Sequence, residues 1–142
     1  MTPIPLSADD YPISEKRPEL VLGARGKSLN ELTLETVLSG EVTMEDLRIT
    51  PEALLYQAEI ARSVRRIELA RNFERASEMS ILPQEIIIEI YELMRPGRAE
   101  SKESFLAAAK RLRDTYSAEN LAAYLEEAAE IYEQRSLFAS RF

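Results

Sequence analysis

Proline and glycine punctuate only the first 97 of the 142 residues: Pro3, Pro5, Pro12, Pro18, Pro51, Pro83 and Pro96, with Gly23, Gly26, Gly40 and Gly97. Proline removes a backbone donor and clashes with the preceding helical turn, and glycine weakens helix interiors. Their positions therefore fix where long helices have room. Residues 1–32 hold four prolines and two glycines and show no sustained helical period. They read as an extended N-terminal arm with short turns, laid over another surface. Residues 33–142 read as a single helical domain.

Within that domain, LTLETVLSG (32–40) predicts a short helix capped by Thr33 and stopped at Gly40, and Thr43 and Asp46 of TMED are spaced to cap each other. Thr50, Pro51 and Glu52 combine an N-cap, a first-turn proline and an acid at the positive end of the helix dipole. Residues 51–80 are less simple. On one straight helix Leu55, Ala58, Leu69, Phe73 and Ala76 share a side, with Ile60, Val64 and Ile67 nearly opposite. Either a break near Ser63 to Arg66 re-aims the second half, or the helix is buried on both faces.

A further helix begins with Pro83 at its first position and ends near Arg95, before Pro96-Gly97. Ile86, Ile87, Ile90, Tyr91, Leu93 and Met94 share its apolar arc, opposite Glu85, Glu89 and Glu92. Ser101 caps the next, with Phe105, Ala108, Ala109, Leu112 and Tyr116 on one side. After a break near Ser117 the last helix carries Leu121, Leu125, Ala128 and Tyr132 against Glu126, Glu130 and Glu133. No run alternates with strand period, so the chain reads as all-α: a Pro-rich arm followed by a bundle of about four to five main helices.

The 18 basic and 25 acidic residues give a net charge of −7, and no third of the chain is net basic, which disfavours a general nucleic-acid binder. Cys and His are both absent. That removes disulfides, thiolate and imidazole ligands, and the groups most used in nucleophilic and acid/base catalysis near neutral pH. A cytosolic setting fits. The start, MTPIPLSADDYP, lacks the basic and apolar regions of a secretory signal, and no apolar run approaches a membrane span.

Candidate chemistry is sparse. Arg62, Arg65, Arg66, Arg71 and Arg75 invite a helix-turn-helix reading, but they project to opposite sides of a continuous helix and alternate with Glu59, Glu68, Glu74 and Glu78. A solvated or pairing face is the better account. The two glutamate stripes face away from the apolar arcs and have no Glu-x-x-His companion, so a carboxylate metal site of the bundle type is disfavoured. Tyr56, Tyr91, Tyr116, Tyr124 and Tyr132 lie at or near apolar faces, where core packing is the default. GARG (23–26) matches neither nucleotide fingerprint.

The ordered strings DYP (10–12), LTLETVLSGEV (32–42), DLRITPEALLYQAEIA (46–61), ARNFERASE (70–78), PQEIIIEIYELMRP (83–96) and AAYLEEAAEIYEQR (122–135) resemble the small subunit of the adenosylcobalamin-dependent diol and glycerol dehydratases. The match runs from about Asp10 to Arg135. It implies a largely helical subunit that packs on a large (β/α)8-barrel subunit, within a heterohexamer containing two copies each of large, medium and small chains. Substrate and a metal ion would lie in the large subunit, and adenosylcobalamin between large and medium. The reaction would be radical dehydration of a 1,2-diol or glycerol to an aldehyde and water. No catalytic, cofactor-binding or metal-binding residue is implied on this chain, and neither nucleic acid nor membrane is an expected partner.

The chain departs from the family where relatives tend to open a long helix with Pro-Asp-Asp-Arg and Pro83-Gln84-Glu85-Ile86 stands instead. Only nine residues precede Asp10, so the microcompartment packaging associated with longer N-terminal extensions is not expected of this one. The short arm and the strings SGEV and YQAEIA lean toward the glycerol enzymes. Arg48, Tyr56, Arg71, Asn72, Phe73 and Arg95 are the expected interface anchors, because Arg and aromatic residues are over-represented at hot spots. The competing reading is a free-standing helical regulatory or adaptor protein, for instance a helix-turn-helix DNA binder.

Overall fold

The structure, a computed structural model, describes residues 5–139, and within them the chain is all-α, with no strand and a single isolated bridge between Leu22 and Ser28. Contacts gather into two units, one ending at Ser80 and the other starting at Ile81.

In the first unit the segment expected to be an extended arm with short turns carries four short helical turns among its described residues. Ala8–Asp10, Pro18–Leu20 and Leu29–Glu31 are 3-10 turns, and α1 is Ile13–Lys16. Capping boxes, Ser7 with Asp10 and Ser28 with Glu31, start two of them. The surface beneath is the chain's own. Leu6 and Ile13 bury against Ile60, the Leu6 N–H donates to Glu59 Oε2 at 2.9 Å, and the Ala8 N–H donates to Ser63 Oγ at 3.0 Å. A short α2 (Leu34–Leu38) has Thr33 as its N-cap, and Gly40 follows it at φ +79°. Met44–Leu47 forms the turn boxed by Thr43 and Asp46.

The two-sided pattern of residues 51–80 resolves into a break. α3 (Pro51–Ser63) and α4 (Ile67–Met79) pack together as a hairpin, joined through Arg65 in the left-handed region at φ 62°. Thr50 caps α3 as expected, its Oγ1 accepting from the Ala53 N–H at 3.2 Å. Ala58, Ala61 and Ala70 bury at the crossing, with Leu69 and Phe73 packed beside them. Small side chains here let the two backbones approach closely.

The second unit comprises α5 (Gln84–Met94), α6 (Lys102–Tyr116) and α7 (Glu119–Gln134). α5 starts one residue later than expected, with Pro83 in the N-cap place. Ser117 closes α6 at φ 54°, its N–H and that of Ala118 returning to Arg113 and Leu112 carbonyls. Phe105, Leu112 and Leu125 are its largest fully buried side chains, interleaved with Ala109, Ala122 and Ala129. Phe105, Tyr132 and Phe138 stack with centroids 4.8, 5.4 and 5.9 Å apart, and the Tyr132 hydroxyl donates to the Met94 carbonyl at 2.5 Å. On α5, however, Tyr91 is 67% exposed rather than packed. The core side of α5 centres on Ile86, Ile90 and Leu93, and Tyr91 lies beyond its edge.

Candidate subunit interface

The charged side chains largely neutralise one another. Arg62 on α3 pairs with Glu74 on α4, Arg71 pairs with Glu68 at 2.9 Å, and Arg75 donates to Asn72 Oδ1. The arginines that suggested DNA reading are thus mostly engaged within the hairpin. The glutamate stripes are engaged in the same way. Glu89 meets Arg111 at 3.1 Å, Glu92 meets Arg95 at 3.0 Å, Glu126 meets Arg113 at 2.8 Å, and Glu130 and Glu133 share Lys102. Among the described residues no three His, Cys, Asp or Glu side chains converge as a metal site.

One ion pair has a buried carboxylate and an exposed arginine, and the sequence reading missed the pairing. Asp46, 3% exposed, accepts from Arg25 Nε at 2.8 Å on Oδ1, from Arg25 Nη2 on Oδ2, and from the Thr43 N–H at 2.9 Å on Oδ2. Arg25 Nη2 also donates to the Glu41 carbonyl at 2.9 Å. The Arg25 guanidinium lowers the Asp46 carboxyl to about 2, against the raising effect of burial. Gly23 belongs to this lock, since a Cβ there would sit 2.6 Å from the Asp46 carbonyl oxygen. GARG is a structural clamp, and its only signals in the sequence were two glycines around one arginine.

The clamp holds the most apolar exposed stretch of the first unit. Leu34, Val37, Leu38, Met44, Leu47 and Ile49 are all exposed, Leu38 at 78% and Met44 at 75%. Single exposed apolar residues are ordinary, but clustered ones mark an interaction surface. Arg48 stands among them, exposed, with its guanidinium unpaired among the described residues.

The remaining expected anchors are dispersed. Tyr56 is half-buried against Leu6, Ile13 and Ile60, and Phe73 is half-buried in the α3–α4 crossing. Phe73 also lines a 320 Å³ cleft with Tyr11, Gln57, Val64 and Arg66. Arg71 and Asn72 are exposed on α4. Arg95 is exposed on the second unit beside its Glu92 partner, at the end of the face that carries Ile88 and Tyr91.

The family model described as the dehydratase small subunit matches residues 6–139. The propanediol dehydratase small subunit of Citrobacter freundii is 48% identical over 126 residues, covering 89% of this chain and 73% of that relative. The propanediol dehydratase small subunit of Salmonella typhimurium (strain LT2) is 48% identical over 126 residues, covering 89% of this chain and 72% of that one. With a match that runs through both units, the chain belongs to the dehydratase small-subunit family.

Proposed function

We propose that this chain is the small, non-catalytic structural subunit of an adenosylcobalamin-dependent dehydratase of 1,2-diols, and that it works by packing on the large catalytic subunit. The observation that carries the reading is an imbalance of apolar surface. Among the described residues nineteen large apolar side chains are exposed and nine are buried. A chain that leaves so much apolar surface in water gains by burying it against a partner. In this reading cobalamin, metal ion and substrate belong to the large and medium subunits, which carry out the radical dehydration, and the complex is cytoplasmic.

Electrostatics supports the non-catalytic part. Each resolved shift moves a group away from neutrality: Asp10, Glu19, Glu31, Asp46, Glu103 and Glu126 downward, and Arg17, Arg25, Lys102 and Arg113 upward. Hydrogen bonds and ion pairs lock these charges, whereas a general acid or base needs a value near the working pH. The relatives' names favour propane-1,2-diol as substrate of the whole complex, against the lean toward glycerol from the short arm and the SGEV and YQAEIA strings.

Co-expression with the large and medium subunits is expected to yield a stable ternary complex with diol dehydratase activity. Full assembly and activity without this chain would overturn the proposal. Arg48→Ala is expected to weaken complex formation while leaving the helicity of the isolated chain intact, because only the Arg48 backbone N–H, donating to the Glu45 carbonyl, takes part in the fold, and the exposed side chain has no partner among the described residues.

A further inference from the structure

We infer that residues 137–139 are a strap that holds α5 down on the α6–α7 pair, and that α5 and the strap open together as one unit while α6 and α7 stay folded. The inference concerns the second unit alone and does not depend on the proposed function.

The three helices of that unit are buried unequally. Ile86 is the one buried residue of α5, whereas α6 buries Phe105, Ala109 and Leu112, and α7 buries Ala122, Leu125, Ala128 and Ala129. Ile90, Leu93 and Met94 add only partly buried contacts. The Glu89–Arg111 pair that also ties α5 to α6 is exposed on both sides, and such pairs contribute little. Few buried apolar contacts are the physical mark of an element that opens locally.

What fastens α5 is concentrated at its C-terminal end. Beyond α7 the chain turns at Ser136, φ 54°, and the Leu137 N–H returns to the Tyr132 carbonyl at 2.9 Å. The tail then runs beside the α5–α6 connection. The Gly97 N–H donates to the Leu137 carbonyl at 2.8 Å, and the Ala139 N–H donates to the Ala99 carbonyl at 2.7 Å. Between these two bonds Phe138 sets its ring against Phe105 and Tyr132, with centroids 5.4 and 5.9 Å away. The last residue of α5 is tied to the same place, since the Tyr132 hydroxyl donates to the Met94 carbonyl.

This arrangement couples the two segments. When α5 lifts with its connection, the Leu137 carbonyl and the Ala139 N–H lose their partners together. Among the described residues the only other backbone bond of the strap is the one from Leu137 to Tyr132, one turn back on α7. The strap therefore has little to hold it in place without α5.

Hydrogen exchange of the full chain, resolved by residue and followed at rising denaturant below the unfolding transition, tests this. In the wild type the amides of α5, Gly97 and Ala139 are expected to share one opening, and to exchange at least about tenfold faster than the slowest amides of α6 and α7. Phe138→Ala removes contacts that are lost both when α5 opens and when the whole unit unfolds. It is therefore expected to speed both groups by the same factor, at least about tenfold, and to preserve the gap between them. Phe138→Leu keeps apolar bulk and is expected to show the same equal effect with a smaller factor, so the test stands even where the alanine variant does not fold. Faster exchange in α6 and α7 with α5 unchanged means that the strap stays with the α6–α7 pair, which overturns the inference. So does a single common opening for all three helices in the wild type, or an Ala139 amide that exchanges with the slow group.

Discussion

The carboxylate of Asp46 accepts three hydrogen bonds inside the first unit, two of them from Arg25. Its folded value of about 2 lies below the ordinary 3.8, so the unfolded chain binds more protons between those two values. The stabilisation is therefore present above about pH 4 and lost as pH falls through about 2. Urea midpoints followed by circular dichroism should fall from pH 4 toward pH 2.5, and D46N should flatten that part of the profile. Gly23 presses on the same residue from the backbone side. Gly23→Ala is expected to destabilise by about 1–3 kcal/mol, the usual range for forcing extra volume into a packed site, read as a lower urea midpoint. Half of this site was legible. The Thr43–Asp46 cap follows from a local spacing of three residues. Arg25 lies twenty-one residues from Asp46, and nothing local states that the two meet.

At the scale of elements, the breaks were readable because their causes are local. Thr50-Pro51 starts α3, Gly40 ends α2, and the run between Ala118 and Gln134 has no proline or glycine to interrupt α7. Residues 51–80 left two options, and the hairpin decides between them through Arg65 at φ 62°. Ser117 takes the same left-handed conformation at the end of α6. A side chain there is strained by roughly 1–2 kcal/mol, so Ser117→Gly is expected to raise stability by about 1 kcal/mol, seen as a higher Tm. The apolar arc of α5 was drawn one step too wide. Period alone placed Tyr91 with Ile86 and Ile90, yet the α6–α7 pair covers a narrower stripe than the sequence offers. A helix with apolar residues beyond its buried stripe is suited to a second contact.

For the molecule as a whole, the buried apolar residues described are nine large side chains and nine alanines. Leu125 on α7 is 1% exposed, in one core cluster with Phe105, Ala109 and Leu112 of α6. Leu125→Ala is expected to cost about 2–5 kcal/mol, measured by chemical denaturation of the isolated chain. In the proposed complex, partner subunits bind only the folded chain, so its Tm should rise with their concentration, by the equivalent of about 2.7 kcal/mol at a hundredfold excess over Kd. The sequence by itself determined the all-α class, the helix ends and caps, and the absence of Cys and His. Each of these follows from residue type or from spacings within one or two helical turns. Only the tertiary structure decided that the N-terminal segment covers its own α3, that Arg25 reaches Asp46, and that Leu34 to Ile49 stay uncovered. Burial is a relation between residues distant in the chain. A leucine in the core and a leucine awaiting a partner follow the same period until the rest of the molecule has folded around one of them.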